Sequence, residues 1–147
     1  MIWRRSVLVG EDSKSLVVDL PIGPGTSMAA LRGGVGDVLR DLGEEHRYDV
    51  LLVVTELASN VRDHASGVGR LRVFRSPVPC RVWVEVDDET EPLPVHGRSR
   101  LGENRGRGMV VVDGVSLDWG TRHRPGGGKT VHTLICCSSD VVPVASG

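Results

Sequence analysis

Three polar residues, Glu56, Asn60 and His64, recur at every fourth position of the segment from Thr55 to His64. On a helix, residues four apart lie on the same face, so the three side chains would form one polar row beside an apolar face. A carboxylate, an amide and an imidazole can between them bind ligands and move protons. The row therefore predicts a functional site, and its bland alternative is a solvated helix face.

Two glycine-containing segments could bind phosphate through backbone N–H groups, which side chains would otherwise hinder. Gly128-Lys129-Thr130 echoes a P-loop, but His123 stands where that motif needs a glycine. The residues from Thr130 to Cys137 also alternate like a strand, whereas a P-loop opens a helix. Gly106-Arg107-Gly108 lacks the third glycine of a dinucleotide fingerprint and has no strand before it. Neither segment identifies a ligand by itself.

Alternating and helical patterns predict the elements that must position these residues. Strands are predicted at Ser15–Leu20, Leu71–Arg75, Cys80–Val86, Val115–Thr121 and Lys129–Cys137, helices from Thr26 or Ser27 to Gly43 and from Tyr48 to Ala65, and a short helix or strand at Met109–Asp113. The first strand is expected at or near a sheet edge. The polar, proline-rich stretch from Asp87 to Arg107 is expected to be a long loop with a functional role.

Composition limits the classes of function. The chain has 147 residues, which fits one domain at 15–137 after an N-terminal extension at 1–14 and before a frayed tail at 138–147. A formal charge of -1 gives no global reason to bind nucleic acid or an anionic membrane. Three cysteines without zinc or disulfide spacing indicate small strand residues of a cytosolic protein. No secretory signal or run long enough to span a bilayer is found.

The order of the motifs is more specific than any one of them. The helical row is followed by Val84-Glu85-Val86-Asp87-Asp88, which runs from a strand into a loop with Pro94. Gly106-Arg107-Gly108-Met109 and then Gly127-Gly128-Lys129-Thr130-Val131 complete the series. This order resembles the GHKL ATPases, the Bergerat-fold group of gyrase and histidine kinases, and within it the small bacterial anti-sigma factor serine/threonine kinases. The resemblance covers residues 15 to 137 and implies an α+β, two-layer α/β sandwich with a mixed, mainly antiparallel sheet and helices on one face.

The resemblance also implies roles for individual residues. Asn60 matches the Mg²⁺ ligand, and its amide oxygen is a hard neutral donor suited to that ion. Glu56 matches the general base that accepts a proton from an attacking hydroxyl. Asp88 matches the residue that binds the adenine amino group, with Thr130 closing the same network. His64 lies in the nucleotide-facing row, with a helix-end histidine near the dipole as the alternative.

The second glycine box implies phosphate contacts. Gly106 and Gly108 would donate backbone N–H groups at a helix N-terminus, where the helix dipole favours an anion. Arg105 or Arg107 would add positive charge to the lid, although Arg107 could equally lie in solvent. Met109 directly follows the second glycine and belongs to the same ATP-binding segment.

Two alternatives concern the aspartate and the last glycine box. Asp87 stands beside Asp88, so the register of the adenine-binding aspartate is ambiguous; the family's usual offset to Pro94 favours Asp88. Either aspartate could also be a turn residue. Gly127 and Gly128 belong either to the last motif of the series, which opens a strand, or to an ordinary hairpin turn.

The function implied by the resemblance is that of a cytoplasmic switch kinase with ATP and Mg²⁺ as cofactors. It would sequester a sigma factor and phosphorylate a serine of a STAS-type anti-anti-sigma factor, without contacting nucleic acid or a membrane. Arg32 aligns with an arginine that contacts these partners, and a homodimer stays open. The alternatives are a nucleotide-dependent binding module without phosphoryl transfer and a structural protein with a degenerate pocket.

Overall fold

The computed structural model describes residues 14–63, 68–76, 80–89 and 110–136. These residues form an α+β fold in which helices pack against one sheet of five antiparallel strands. The strands are β1 (Ser15–Ile22), β2 (Gly69–Ser76), β3 (Arg81–Asp88), β4 (Asp118–His123) and β5 (Lys129–Cys136). The helices are α1 (Met28–Val38), α2 (Glu44–Asp63) and α3, which comprises residues 110–115.

The strand order in the sheet is β1-β2-β3-β5-β4, so β1 and β4 are the outer strands of the described sheet. The prediction that the first strand lies at an edge is confirmed. Every pairing among the described strands is antiparallel. The register of β1 against β2 shifts between Leu16 and Val18, and Pro21 pairs opposite Arg70.

The main core lies between the sheet and helices α1 and α2. Because side chains alternate across a strand, Val82, Val84 and Val86 of β3 all point to the same face and are buried there. Leu31 and Val35 of α1 belong to the same cluster. From α2 the cluster takes Val50, Val53, Val54, Leu57, Ala58 and Val61, which recur at helical spacing. The helices therefore cover one face of the sheet, as expected.

The helix boundaries differ in part from the predicted ones. Ser27 caps α1, since its Oγ accepts a hydrogen bond of 3.1 Å from the backbone N–H of Ala30. The helix ends at Val38, before the predicted end at Gly43. Helix α2 begins at Glu44, four residues before the predicted start, because an acidic first turn suits the positive end of the helix dipole.

A smaller cluster lies on the opposite face of the sheet and consists of Trp83, Leu134 and Cys136 with the half-buried Phe74. The ammonium of Lys14 lies 4.7 Å from the centroid of the Phe74 ring and 5.1 Å from that of Trp83. This is a favourable distance for a cation over an aromatic face. Residues on the two faces of β3 thus have different environments.

Two sequence predictions need correction. β4 begins at Asp118 and not at Val115, because residues 110–115 are helical and Trp119 Nε1 donates a 2.9 Å hydrogen bond to Asp113 of that helix. Cys80 is disulfide-bonded, and Cys136 is buried. The expectation of unpaired cysteines is therefore wrong for Cys80.

Among the described helices, none combines the length and hydropathy needed to cross a membrane.

Candidate functional site

On helix α2, the polar residue Asn60 lies next to the buried apolar residues that face the sheet. Leu57 and Val61 are buried against the sheet, and Asn60 lies between them in sequence and is half-buried. Because positions three and four apart share a helix face, Leu57, Asn60 and Val61 meet on the side that looks towards β3 and β5. The amide of Asn60 is thereby held at a boundary between apolar core and open space.

A cleft lies between α2 and the ends of two central strands. Its lining residues are Leu57, Asn60 and Val61 from α2, Val86 and Asp88 from β3, and Lys129 and Val131 from β5. The cleft is continuous with solvent. Its mainly apolar walls with a few polar groups are typical of small-molecule sites.

The structure separates the two adjacent aspartates of β3. Side chains on a strand alternate between faces, so Asp88 shares the helix-covered face with Val86, and Asp87 shares the other face with Glu85. Asp88 lines the cleft beside Asn60, while Asp87 is not among the lining residues. The prediction that Asp88 rather than Asp87 is the site residue is thus compatible with the geometry.

Asp87 belongs to an ionic network on the opposite face. Arg72 donates two hydrogen bonds to its carboxylate, at 2.7 and 2.9 Å, and Thr130 Oγ1 donates a third at 2.7 Å. Burial, the largest effect, raises the pKa of Asp87, but the bonds from Arg72 and Thr130 and the charges of Arg72 and Arg124 outweigh it and hold the pKa below the usual range. Asp87 is therefore a structural carboxylate.

This network corrects one expectation about Thr130. The resemblance predicts that Thr130 shares a network with Asp88, but its hydroxyl bonds to Asp87 across the neighbouring strand. The physical reason is the antiparallel register, in which Asp87 faces Thr130 and Asp88 faces Lys129. Thr130 is buried on the face of the sheet opposite the cleft.

Lys129 takes the place beside Asp88 that was predicted for Thr130. Its Nζ lies 3.5 Å from Asp88 Oδ2, and the two side chains are only 12% and 10% exposed. Sequence reasoning treated Lys129 only as part of a glycine-rich opening. The alternation of β5 could have predicted that Lys129 faces the helices. Lys129 is in phase with Val131 and Ile135, which belong to the main core.

The remaining predicted site residues divide into those the structure describes and those it does not. Glu56 lies on α2 one turn before Asn60 and is half-buried, but it is not among the residues that line the cleft. Arg32 is exposed on α1. The predictions for His64, Arg105, Gly106, Arg107, Gly108 and Met109 lie outside the described residues.

The last glycine box forms the hairpin between β4 and β5. Gly126, Gly127 and Gly128 all have positive φ, and Arg124 N–H donates to Gly128 O at 3.0 Å. The hairpin reading of Gly127 and Gly128 is confirmed. A Cβ on Gly128 would collide with the backbone carbonyl oxygen of Asp88, so glycine permits the close approach of strand backbones beside the cleft.

The donor set limits which cation the cleft could hold. No cluster of three or more His, Cys, Asp or Glu residues suited to a metal occurs within residues 14–63, 68–76, 80–89 and 110–136. A cation bound through the amide oxygen of Asn60 would therefore take most of its ligands from water and from a bound anion. That arrangement fits Mg²⁺, which keeps several waters and is commonly held by one or two protein groups together with substrate phosphates.

Comparison with known proteins adds no family assignment. No protein family model matches this chain, and no curated protein is significantly similar to it in sequence. The polar residues that line the cleft are Asn60, Asp88 and Lys129.

Proposed function

We propose that this chain is an ATP-binding protein of the GHKL type and acts as an anti-sigma factor serine/threonine kinase. One observation carries the proposal: Asn60 and Asp88, which the motif order pairs as magnesium and adenine ligands, line the same cleft. They are far apart in sequence and come from a helix and a strand. A solvated helix face does not explain why Asn60 lines the same cleft as the buried Asp88.

The cleft residues have the chemistry that a purine nucleotide needs. Leu57, Val61, Val86 and Val131 would cover the faces of a base with apolar surface. The Asp88 carboxylate would accept a hydrogen bond from the exocyclic amino group, and the Asn60 amide oxygen would hold Mg²⁺. Bound Mg-ATP supplies the phosphoryl group for transfer.

The architecture supports the Bergerat fold type within the α+β class. Five antiparallel strands form one layer, and α1 and α2 form the second layer on one face. The cleft opens at the strand ends beneath α2, next to the hairpin of the last glycine box. A two-layer sandwich of this kind is what the motif order implies.

Calorimetry with Mg-ATP tests the pocket. We expect wild-type protein to bind, and Asp88→Asn to weaken binding by about tenfold or more because a charge-assisted hydrogen bond is lost. Asp87→Asn is the matched control, since it makes the same change one residue away on the opposite face and should leave the affinity nearly unchanged. Thermal unfolding of both variants checks that they are folded. Unchanged affinity in Asp88→Asn, or no binding to wild type, would overturn the assignment.

Phosphoryl transfer requires a second experiment. In this proposal Glu56 accepts the proton of a serine hydroxyl on a STAS-type partner, and the chain also sequesters a cytoplasmic sigma factor. The exposed Arg32 on α1 is the proposed contact with these partners, and neither nucleic acid nor a membrane is required. Incubation with Mg-ATP and STAS proteins should yield phosphoserine with wild type and none with Glu56→Gln, which should still bind ATP.

A second candidate is a nucleotide-dependent binding module without phosphoryl transfer. It is favoured by the position of Glu56, which is half-buried and does not line the cleft between α2, β3 and β5. The same incubation separates the two functions. Wild-type protein that binds Mg-ATP and a STAS or sigma partner, yet forms no phosphoserine on any of them, is a module and not a kinase.

A further inference from the structure

We propose that Lys129 reads the base of the bound nucleotide together with Asp88, and that the pair selects a heterocycle with a hydrogen-bond acceptor directly beside an amino group. This proposal rests on the proposed nucleotide site and adds a specificity residue to it. The ligand class that it names is an adenine nucleotide recognised through both its exocyclic amino group and its ring nitrogen N1.

The placement of Lys129 is set by the sheet. Asp88 and Lys129 are directly opposite each other on neighbouring antiparallel strands, and both side chains point to the helix-covered face. Their charged ends are 3.5 Å apart and are mostly shielded from solvent. The two backbones approach closely here, because a Cβ added at Gly128 would collide with the carbonyl oxygen of Asp88. Donor and acceptor are therefore held side by side.

The chemistry of the pair restricts what it can bind. A carboxylate accepts hydrogen bonds only, and an ammonium donates only, with three protons to share. Lys129 can thus keep its contact with Asp88 and still donate to a ligand. The edge of adenine offers a donor, the amino group, next to an acceptor, N1. An edge that presents only donors would bind to Asp88 but would offer the ammonium of Lys129 no acceptor, so the ligand would gain only one of the two hydrogen bonds.

The salt bridge between Asp88 and Lys129 can also contribute to ligand binding, because both charged groups can form hydrogen bonds to a ligand. Charge-assisted hydrogen bonds are stronger than neutral ones, and they gain strength where water is excluded. Leu57, Val61 and Val131 supply the apolar surroundings on the helix side of the pair. A base inserted between these side chains would exclude water from both charged groups.

The test compares Mg-ATP with Mg-1-deaza-ATP, in which a C–H group replaces N1. Calorimetry should show that wild-type protein binds ATP about tenfold more tightly than the deaza analogue. Lys129→Met should bind ATP about tenfold more weakly than wild type and should lose the preference between the two nucleotides. Because each preference is a ratio measured on one protein, a change in fold stability does not mimic this result.

Lys14→Met is the matched control, because it removes a lysine that lies over Phe74 and Trp83 on the opposite face. It should keep the tenfold preference. Equal affinity of the wild-type protein for the two nucleotides would overturn the role of Lys129. The same conclusion would follow if Lys129→Met kept the full tenfold preference for ATP over 1-deaza-ATP. In either case ATP binding itself would leave the proposed function standing. If wild type binds neither nucleotide, both proposals are overturned.

Discussion

Alanine substitutions at two glycines of one hairpin provide a direct test of the geometry beside the cleft. Gly126 and Gly128 both have positive φ, of 90° and 83°. An added Cβ at Gly126 meets nothing within 4 Å, whereas one at Gly128 collides with the carbonyl oxygen of Asp88 and lies 3.3 Å from Glu89 Cα. The two variants therefore share the conformational strain and differ in the collision.

The expected magnitudes follow from that difference. A non-glycine residue in the left-handed region costs about 1–2 kcal/mol, so Gly126→Ala should lower the free energy of unfolding by that amount. Gly128→Ala carries the same cost and must also push two strand backbones apart, which adds about 1–3 kcal/mol of overpacking strain. In a domain of this size each kcal/mol lowers the Tm by ~3 °C.

Urea unfolding followed by tryptophan fluorescence measures both variants on the same scale, and Trp83 is a buried reporter in the neighbouring strand. Because the collision involves the backbone of Asp88, Gly128→Ala should also weaken Mg-ATP binding more than Gly126→Ala does. Equal destabilisation by the two substitutions would refute the close approach of β3 and β5 at this point, and with it the placement of Asp88.

Three further predictions concern single interactions. Ser27→Ala removes the oxygen that accepts from Ala30 N–H and should lower the free energy of unfolding by about 1 kcal/mol in urea titrations; no change would mean that the cap is not formed. Arg72→Met leaves the buried Asp87 without its main partner and should cost about 3–5 kcal/mol, whereas Arg70→Met breaks only an exposed pair and should cost less than about 1 kcal/mol; similar losses would contradict the buried network. Because the folded-state pKa of Asp87 is below its ordinary 3.8, its stabilisation is complete above that pH and is lost as the pH falls through the lowered value; stability measured across this acid range should fall less in Asp87→Asn than in wild type, and parallel curves would exclude the shift.

Much of the architecture could be predicted from residue patterns. The alternation of Val82, Val84 and Val86 identified β3 and its buried face, and the helical spacing of Leu57 and Val61 identified α2. Both patterns are local consequences of backbone geometry, with periods of 2 and 3.6 residues. They therefore needed no knowledge of the tertiary contacts.

The pairing of site residues was harder to predict, because it depends on register between strands distant in the chain. Nothing local in the sequence shows that Thr130 faces Asp87 and that Lys129 faces Asp88. A shift of one residue would pair Asp88 with Gly128 or with Thr130 in place of Lys129. The same limit applies to the start of β4, because the preceding helix extends to residue 115 and Trp119 Nε1 donates a hydrogen bond to Asp113 of that helix.

The irregular outer strand β1 has a consequence for behaviour at high concentration. A long, regular edge strand is a template on which further chains can add and grow into fibrils. In β1 the register shift between Leu16 and Val18 interrupts that template, and Pro21 has no N–H to offer a new neighbour. The charge of Asp19 adds a further obstacle on the same strand. We therefore expect little strand addition at this edge of the described sheet, even though Leu16 is half exposed there.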